Sequence, residues 1–237
     1  MSERSTHDHS SELYKRLMQT YPNICILPQS KILLNLHSIA RNTDVTQAEF
    51  VHVTRRVIRL ILEQALSLRT YETVEVHTPI GAVFVGARPR RETIIAVSIP
   101  RAGDAMEQEL RDIEPATKVG KILIQRDPST KLPTRFYSKL PKIEGIDEVI
   151  LMDPMIATAG TVINAMEALA DHGVDYHNVI LASFLTNPEA IDRINQRFPG
   201  VRMSIGFVDP DTTAEKFMLP GIGDFGDRYF GTDNRQP

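Results

Sequence analysis

Val149-Ile150-Leu151-Met152-Asp153-Pro154-Met155-Ile156-Ala157-Thr158-Ala159-Gly160-Thr161 is the stretch on which the fold turns. Its four leading residues are apolar without a break, as in a strand covered on both faces by helices. Asp153 closes the run, and a loop of small and hydroxyl residues leads into a helix predicted to open near Gly160 and stop at Gly173. Thr158, Gly160 and Thr161 fall where unbonded peptide N–H groups meet the positive end of a helix dipole, an arrangement that seats a phosphate. Gly160 permits a close backbone approach or a positive φ. A carboxylate just ahead of such a seat suits a ligand carrying both a phosphate and hydroxyls, such as ribose 5-phosphate. The same residues would also make an ordinary strand–loop–helix junction with a capping threonine.

Working outward, the chain alternates. Strands are predicted at 93–99, 119–125, 179–185 and 201–208, with helices at 102–113 and 188–197. The polar stretch 126–145 carries four prolines or glycines and reads as a long loop. This alternation predicts an α/β fold, a doubly wound, mostly parallel sheet with flanking helices. Ligands of such sheets bind beyond the carboxyl ends of the strands, which directs attention to Arg101, Arg126, Asp153 and the Asp209 region. Ahead of the alternation, short strands at 73–77 and 82–85 make a small β-rich hood or arm. Asn42-Thr43-Asp44 offers caps for a helix reaching residue 68, with Phe50, Val53, Val57, Leu60 and Ile61 at helical spacing. Residues 1–27 read as a polar tail and a short helix, and 28–237 as one domain.

Composition narrows the function classes. Thirty acidic against 27 basic side chains give a net charge of −3, which disfavours a dedicated nucleic-acid binder. The single cysteine, Cys25, rules out an internal disulfide and disfavours a cysteine-rich metal site. No apolar run approaches the roughly 18 residues of a membrane span, and residues 1–11 lack the apolar core of a secretory signal. A soluble intracellular protein is expected. His7-Asp8-His9 lies in the polar tail and is not taken as a metal site. Met152, Met155 and Met166 read as core or pocket wall, and Arg88-Pro-Arg90-Arg91 as a solvated turn. Gly221-Ile-Gly223-Asp-Phe-Gly226 satisfies the dinucleotide fingerprint formally, but only eleven residues follow it, too few for a βαβ unit. Arg101 and Arg126 each end an apolar strand at the ligand-binding edge, where a buried arginine needs an anionic partner, either a ligand or a structural carboxylate.

The 149–161 segment resembles the phosphoribosyl pyrophosphate (PRPP) motif of the type I phosphoribosyltransferases. Their general motif has two adjacent acidic residues. Asp153-Pro154-Met155 followed by Ala157-Thr158-Ala159-Gly160 is similar to the variant found in the uracil phosphoribosyltransferases. Four further stretches resemble that family in its own order: Thr78-Pro-Ile-Gly81, Ser98-Ile-Pro-Arg101-Ala-Gly103, Lys121-Ile-Leu-Ile-Gln-Arg126-Asp, and Pro220 through Gly223-Asp224-Phe225-Gly226 to Gly231. The resemblance covers roughly residues 28 to 233. Ala159-Gly160 and Phe225 match eukaryotic-type members. Two segments depart from the pattern: Thr186-Asn-Pro-Glu-Ala190, where the family usually reads Ala-Pro-Glu-Gly, and 209–216, which lacks its Asp-x-x-Leu-Asn.

The resemblance implies transfer of ribose 5-phosphate from PRPP to uracil, giving UMP and pyrophosphate in pyrimidine salvage. It implies catalytic roles for Asp153, Arg126 and Asp224. PRPP would be bound by Arg101, Arg126, Asp153, Pro154, Met155, Ile156, Ala157, Thr158, Ala159, Gly160, Thr161 and Asp224. Uracil would lie against Met155, Ala157, Met218, Gly223, Asp224, Phe225 and Gly226. Mg²⁺ would arrive on PRPP, with no dedicated protein metal site. The stretch 127–135 would form a lid over the site. Family members are dimers or higher oligomers, and some respond to GTP; a cytoplasmic location, with the nucleus as a second compartment, goes with the family. A type I transferase for another base, or a weakly active nucleotide-binding regulatory subunit, stays open as an alternative.

Overall fold

The computed structural model describes residues 4–126, 133–143, 148–214 and 217–232, with side chains at 12–124, 137–143, 148–214 and 217–232. In chain order the elements are α1 (Arg4–Thr20), β1 (Ile24–Ile26), α2 (Lys31–Arg41), α3 (Gln47–Ser67), β2 (Tyr71–His77), β3 (Val83–Pro89), β4 (Ile94–Ser98), α4 (Asp104–Ile113) and β5 (Lys118–Arg126). There follow β6 (Pro133–Lys139), β7 (Glu148–Met152), β8 (Met155–Ile156), α5 (Gly160–Asp171), β9 (Val179–Thr186), α6 (Pro188–Arg197), β10 (Arg202–Val208), β11 (Asp211–Thr212), β12 (Met218–Leu219) and α7 (Phe225–Phe230).

Apolar residues on successive positions of β4, β7 and β9 divide by the period-2 alternation of a strand. Ile95, Val97, Val149, Leu151 and Leu181 point to one face, where α1, α5 and α6 cover them. Ile94, Ala96, Ile150, Met152, Ile180 and Ala182 point to the other, under α2, α3, α4 and α7. Every residue of these three strands is buried, so the unbroken apolar runs have the physical cause expected of them. The main sheet runs β1-β10-β9-β7-β4-β5-β6, with β8 attached to β9. All pairings are parallel except β5–β6. The expected doubly wound architecture is therefore present, and β2–β3 form a separate antiparallel arm.

Three expectations are corrected. The predicted loop at 126–145 contains β6, an antiparallel edge strand that begins at Pro133. Proline is tolerated there because an edge strand need not donate on its outer side, and because it opens the strand. The N-terminal segment, expected as a polar tail and a short helix, is helical from Arg4 to Thr20; Tyr14 and Leu17 are buried in the core, and β1 pairs with β10 at the sheet edge. The cap of α3 is Thr46, which accepts from the Glu49 amide, not the 42–44 group, and Leu60 of that helix is 44% exposed. α2 adds to the elements expected and ends on Arg41. No helix among the described residues is long and apolar enough to cross a membrane.

Candidate active site

β4 and β7 are neighbours that lead away in opposite directions through the sheet, β4 to β5 and β7 to β9. The crevice at their carboxyl ends is where an open α/β sheet takes its ligand. Ser98 and Met152 are register partners, and the Ile99 amide donates to the Met152 carbonyl at 3.2 Å. Arg101-Ala-Gly103 and Asp153 thus emerge side by side. Gly103 is dictated by this junction: a Cβ there would stand 2.6 Å from the Met152 carbonyl oxygen and 2.7 Å from the Ile99 nitrogen.

Asp153 is only 8% exposed. Burial pushes its carboxyl up to about 7, an effect partly offset by the Met155 amide, which donates to Oδ1 at 3.2 Å. Beyond it, the chain pairs briefly with β9 as β8 and then turns into α5. Ala159 adopts φ 61°, so the left-handed residue of the turn is Ala159, while Gly160 is the first residue of the helix. A β-carbon in that conformation is strained by about 1–2 kcal/mol, which ties the loop shape to its tertiary supports. A cavity of about 70 Å³ is lined by Asp153, 155–159, Thr161 and Val162. That exceeds the roughly 30 Å³ share of one water. Eight of the ten residues from Asp153 to Val162 face this space, and Pro154 and Gly160 do not line it.

A second cavity, of about 390 Å³, shares Met155 and Ala157 with the first. Its other walls include Thr213, Phe217, Met218, Gly223 and Asp224. The structure therefore brings together five of the seven residues expected around the base. Phe225 and Gly226 are not among its lining. The Phe225 ring is 1% exposed and packs on Phe50 and Phe184 at centroid distances of 5.6 and 5.7 Å. Asp224 caps α7, accepting from the Asp227 amide at 2.8 Å, while bordering the cavity.

Arg101 is not buried: half of its side chain is exposed. It pairs with Asp227, and its Nη1 donates to Thr232 Oγ1 at 2.8 Å. Arg126 ends β5 opposite Pro133; its side chain, and residues 127–132 of the expected lid, lie outside the described residues. Pro133 to Arg135 belong to β6.

Residues that sequence reasoning did not assign complete the site. Asp209, fully buried just past β10, takes a bidentate ion pair from Arg41, Nη2–Oδ1 2.7 Å and Nη1–Oδ2 3.1 Å. The same pair holds both peptide groups of Gly221: its amide donates to Asp209 Oδ2 at 2.8 Å, and its carbonyl accepts from Arg41 Nη1 at 2.8 Å. Gly221 has φ 70°, and a Cβ there would lie 2.3 Å from the Met218 carbonyl oxygen. Arg228 holds the next carbonyl, Ile222, at 2.7 Å and also binds the Ala40 and Asn42 carbonyls of the α2 end. The wall of the larger cavity is thereby fastened to α2. The Asp209 region is marked in sequence by its place after a strand; Arg41 carries no such mark.

Asp153 is followed by Pro154, and the described residues contain no group of three or more His, Cys, Asp or Glu placed to hold a metal. A single carboxylate bordering the small cavity would fit a magnesium ion that keeps substrate oxygens and waters as ligands.

The family model of uracil phosphoribosyltransferase matches residues 27–232. The chain is 38% identical over 216 residues to the uracil phosphoribosyltransferase of Dictyostelium discoideum, covering 91% of this chain and 100% of that protein. It is 39% identical to the Saccharomyces cerevisiae uracil phosphoribosyltransferase, covering 90% and 98%. Among solved structures, the AQ2163 protein of Aquifex aeolicus superposes with a TM-score of 0.74 at 29% identity, covering 87% of this chain and 97% of that one. The adenine phosphoribosyl transferase of Trypanosoma brucei shares the fold, with a TM-score of 0.50 at 14% identity over 79% and 84% of the two chains. With a family match that runs from just after β1 through α7 and relatives aligned over nearly their whole length, the chain belongs to the uracil phosphoribosyltransferase family.

Proposed function

We propose that the chain transfers ribose 5-phosphate from PRPP to uracil, releasing pyrophosphate. The observation that carries this reading is the shared wall of the two cavities: Met155 and Ala157 border both. A sugar phosphate seated in the smaller cavity therefore presents its ring to a flat base in the larger one. The 5-phosphate takes the amides of 157–161 at the start of α5, where the helix dipole favours an anion. Asp153 accepts hydrogen bonds from the ribose hydroxyls, and its charge favours the positive character that develops on the sugar as the bond to pyrophosphate breaks. Arg101 and Arg126 bind the departing pyrophosphate, Arg101 exchanging its contacts with Asp227 and Thr232 for the ligand. Mg²⁺ bound with PRPP neutralises part of the pyrophosphate charge. Backbone donors and acceptors of residues 223–224 meet the carbonyls and N3–H of uracil. They leave the amino group of cytosine unpaired, at a cost of about 1–3 kcal/mol.

The assay is pyrophosphate release with PRPP and Mg²⁺, offering uracil, cytosine, orotate and hypoxanthine in turn. Uracil alone should turn over, with UMP as product; faster turnover of another base would overturn the assignment.

The chain also acts as a homo-oligomer in this reading. The β2–β3 arm exposes Ile80, Val83, Phe84 and Val85, each more than half accessible, which is the kind of apolar surface that association covers. GTP is the effector to add in the same assays, and the cytoplasm is the compartment that fits a chain acting on soluble nucleotides.

A further inference from the structure

Three consecutive carbonyls of the phosphate loop are each held from behind by a different side chain. Thr186 Oγ1, at the end of β9, donates to the Ile156 carbonyl at 3.0 Å. Asn187 Nδ2 donates to the Ala157 carbonyl at 2.7 Å. Arg193 Nη1, one turn into α6, donates to the Thr158 carbonyl at 2.5 Å. Thr186 and Asn187 are 0% and 1% exposed, so neither donor has water as a substitute partner.

In a trans peptide the carbonyl of one residue and the amide of the next point in opposite directions. Drawing the carbonyls of 156, 157 and 158 toward β9 and α6 therefore turns the amides of Ala157, Thr158 and Ala159 the other way, into the small cavity beside Asp153. Ala159 then enters the left-handed region at φ 61° and the helix begins. Asn187 has a second task, since its Oδ1 caps α6 by accepting from the Ala190 amide at 2.9 Å. One side chain so fixes the α6 start to the phosphate loop.

We infer that Thr186, Asn187 and Arg193 are positioning residues for the 5-phosphate, an inference that rests on the PRPP reading of this loop. Thr186 and Asn187 belong to the segment that departs from the family's Ala-Pro-Glu-Gly pattern. The departure thus supplies the phosphate loop with its support and does not line the base cavity. Pre-set amides need no reorganisation when the anion arrives, which is how a fixed dipole array gains affinity.

The test compares Thr186→Val, which keeps shape and loses the hydroxyl, with Thr186→Ser, which keeps the donor. Asn187→Ser retains a neutral helix cap but is too short to reach the Ala157 carbonyl. Ribose 5-phosphate and PRPP binding are measured by calorimetry, and KM is measured for each substrate. Thr186→Val and Asn187→Ser should each weaken binding of both phosphate esters about tenfold, with the uracil KM at saturating PRPP within twofold of wild type. Thr186→Ser should bind as wild type does. Folded variants with wild-type affinity for the esters, or an equal loss for uracil, would overturn the inference and leave the transferase reading intact. Ribose 5-phosphate binding needs no base, so a chain that shows the expected losses yet rejects uracil would overturn the base assignment alone. A wild-type chain that binds neither ester would overturn both.

Discussion

The Asp153 carboxyl is buried, with no cation beside it among the described side chains, and two measurements follow from that. Its folded pKa, about 7 against an ordinary 3.8, means that the folded chain holds a proton the unfolded chain releases. That contribution to stability is full below 3.8, declines as the pH rises from there to about 7, and is gone above. Asp153→Asn should therefore melt at or above wild type at pH 8, an advantage that shrinks as the pH is lowered toward 4. The same variant should turn over about 10²-fold more slowly or worse, since the charge facing the ribose is lost. Near-normal turnover in a folded Asp153→Asn chain would remove Asp153 from the chemistry. His37 behaves oppositely. Both its ring nitrogens are buried without a partner between Phe184 and Phe207. Burial lowers its pKa from 6.5 to about 3, with the nearby Arg41 charge adding to the effect. The unfolded chain protonates first, so stability should fall as the pH drops below about 6.5, by up to ~1.4 kcal/mol per unit from this group. Urea titrations of His37→Leu across pH 4.5–8 should show that part of the slope missing; an unchanged slope would assign it to other groups.

At the scale of elements, the Gly221 wall of the larger cavity is held by α2 and the end of β10. The Arg41–Asp209 pair is nearly enclosed, with side-chain exposures of 17% and 0%. Removing one partner strands a buried charge. Asp209→Ala should cost about 3–5 kcal/mol, and the double variant with Arg41→Ala should cost less than the two single losses added together. Urea denaturation of the four chains gives the coupling directly; additive losses would mean that the pair is screened. Because both groups also grip Gly221, either single variant should raise the uracil KM more than the PRPP KM. The 156–159 loop hangs on β9 and α6 instead, so the two cavities have separate supports.

Across the whole molecule, the β2–β3 arm stands apart from the helix-covered sheet. Phe84 and Val85 are 62% and 61% exposed there, on a two-stranded ribbon that is marginal by itself in water. A second copy of the chain covering this arm would supply the missing apolar contact. Phe84→Glu should shift wild-type oligomers toward monomer in sedimentation velocity while leaving the monomer folded, because the ring takes no part in either buried cluster. A wild-type chain that sediments as a monomer at micromolar concentration would refute the proposed association.

By itself the sequence determined what neighbouring residues can dictate. The apolar runs at 149–152 and, interrupted at Ser183, at 179–185 call for burial on two faces, and together with the alternation of strands and helices they predict a parallel, helix-covered sheet. The junction at 149–161 was legible because a strand, an acid, small residues and a helix start follow one another there. Folding decided which way side chains turn where the chain gives no period. Phe225, expected in a glycine-rich loop that meets the base, opens α7, and its ring joins Phe50 and Phe184 because that is where apolar area can be removed from water. Arg101 ends beside Asp227 on α7, a pairing that its place after β4 does not announce. Thr186 and Asn187 read only as departures from a pattern until β9 brings them under a loop 30 residues away. Arg41 and Asp209 are 168 positions apart, and no local pattern encodes a pairing that exists only once α2 is packed against the end of β10. Local periodicity fixes which faces are buried; the partners of buried charges are fixed by contacts between distant elements, and those exist only in the folded chain.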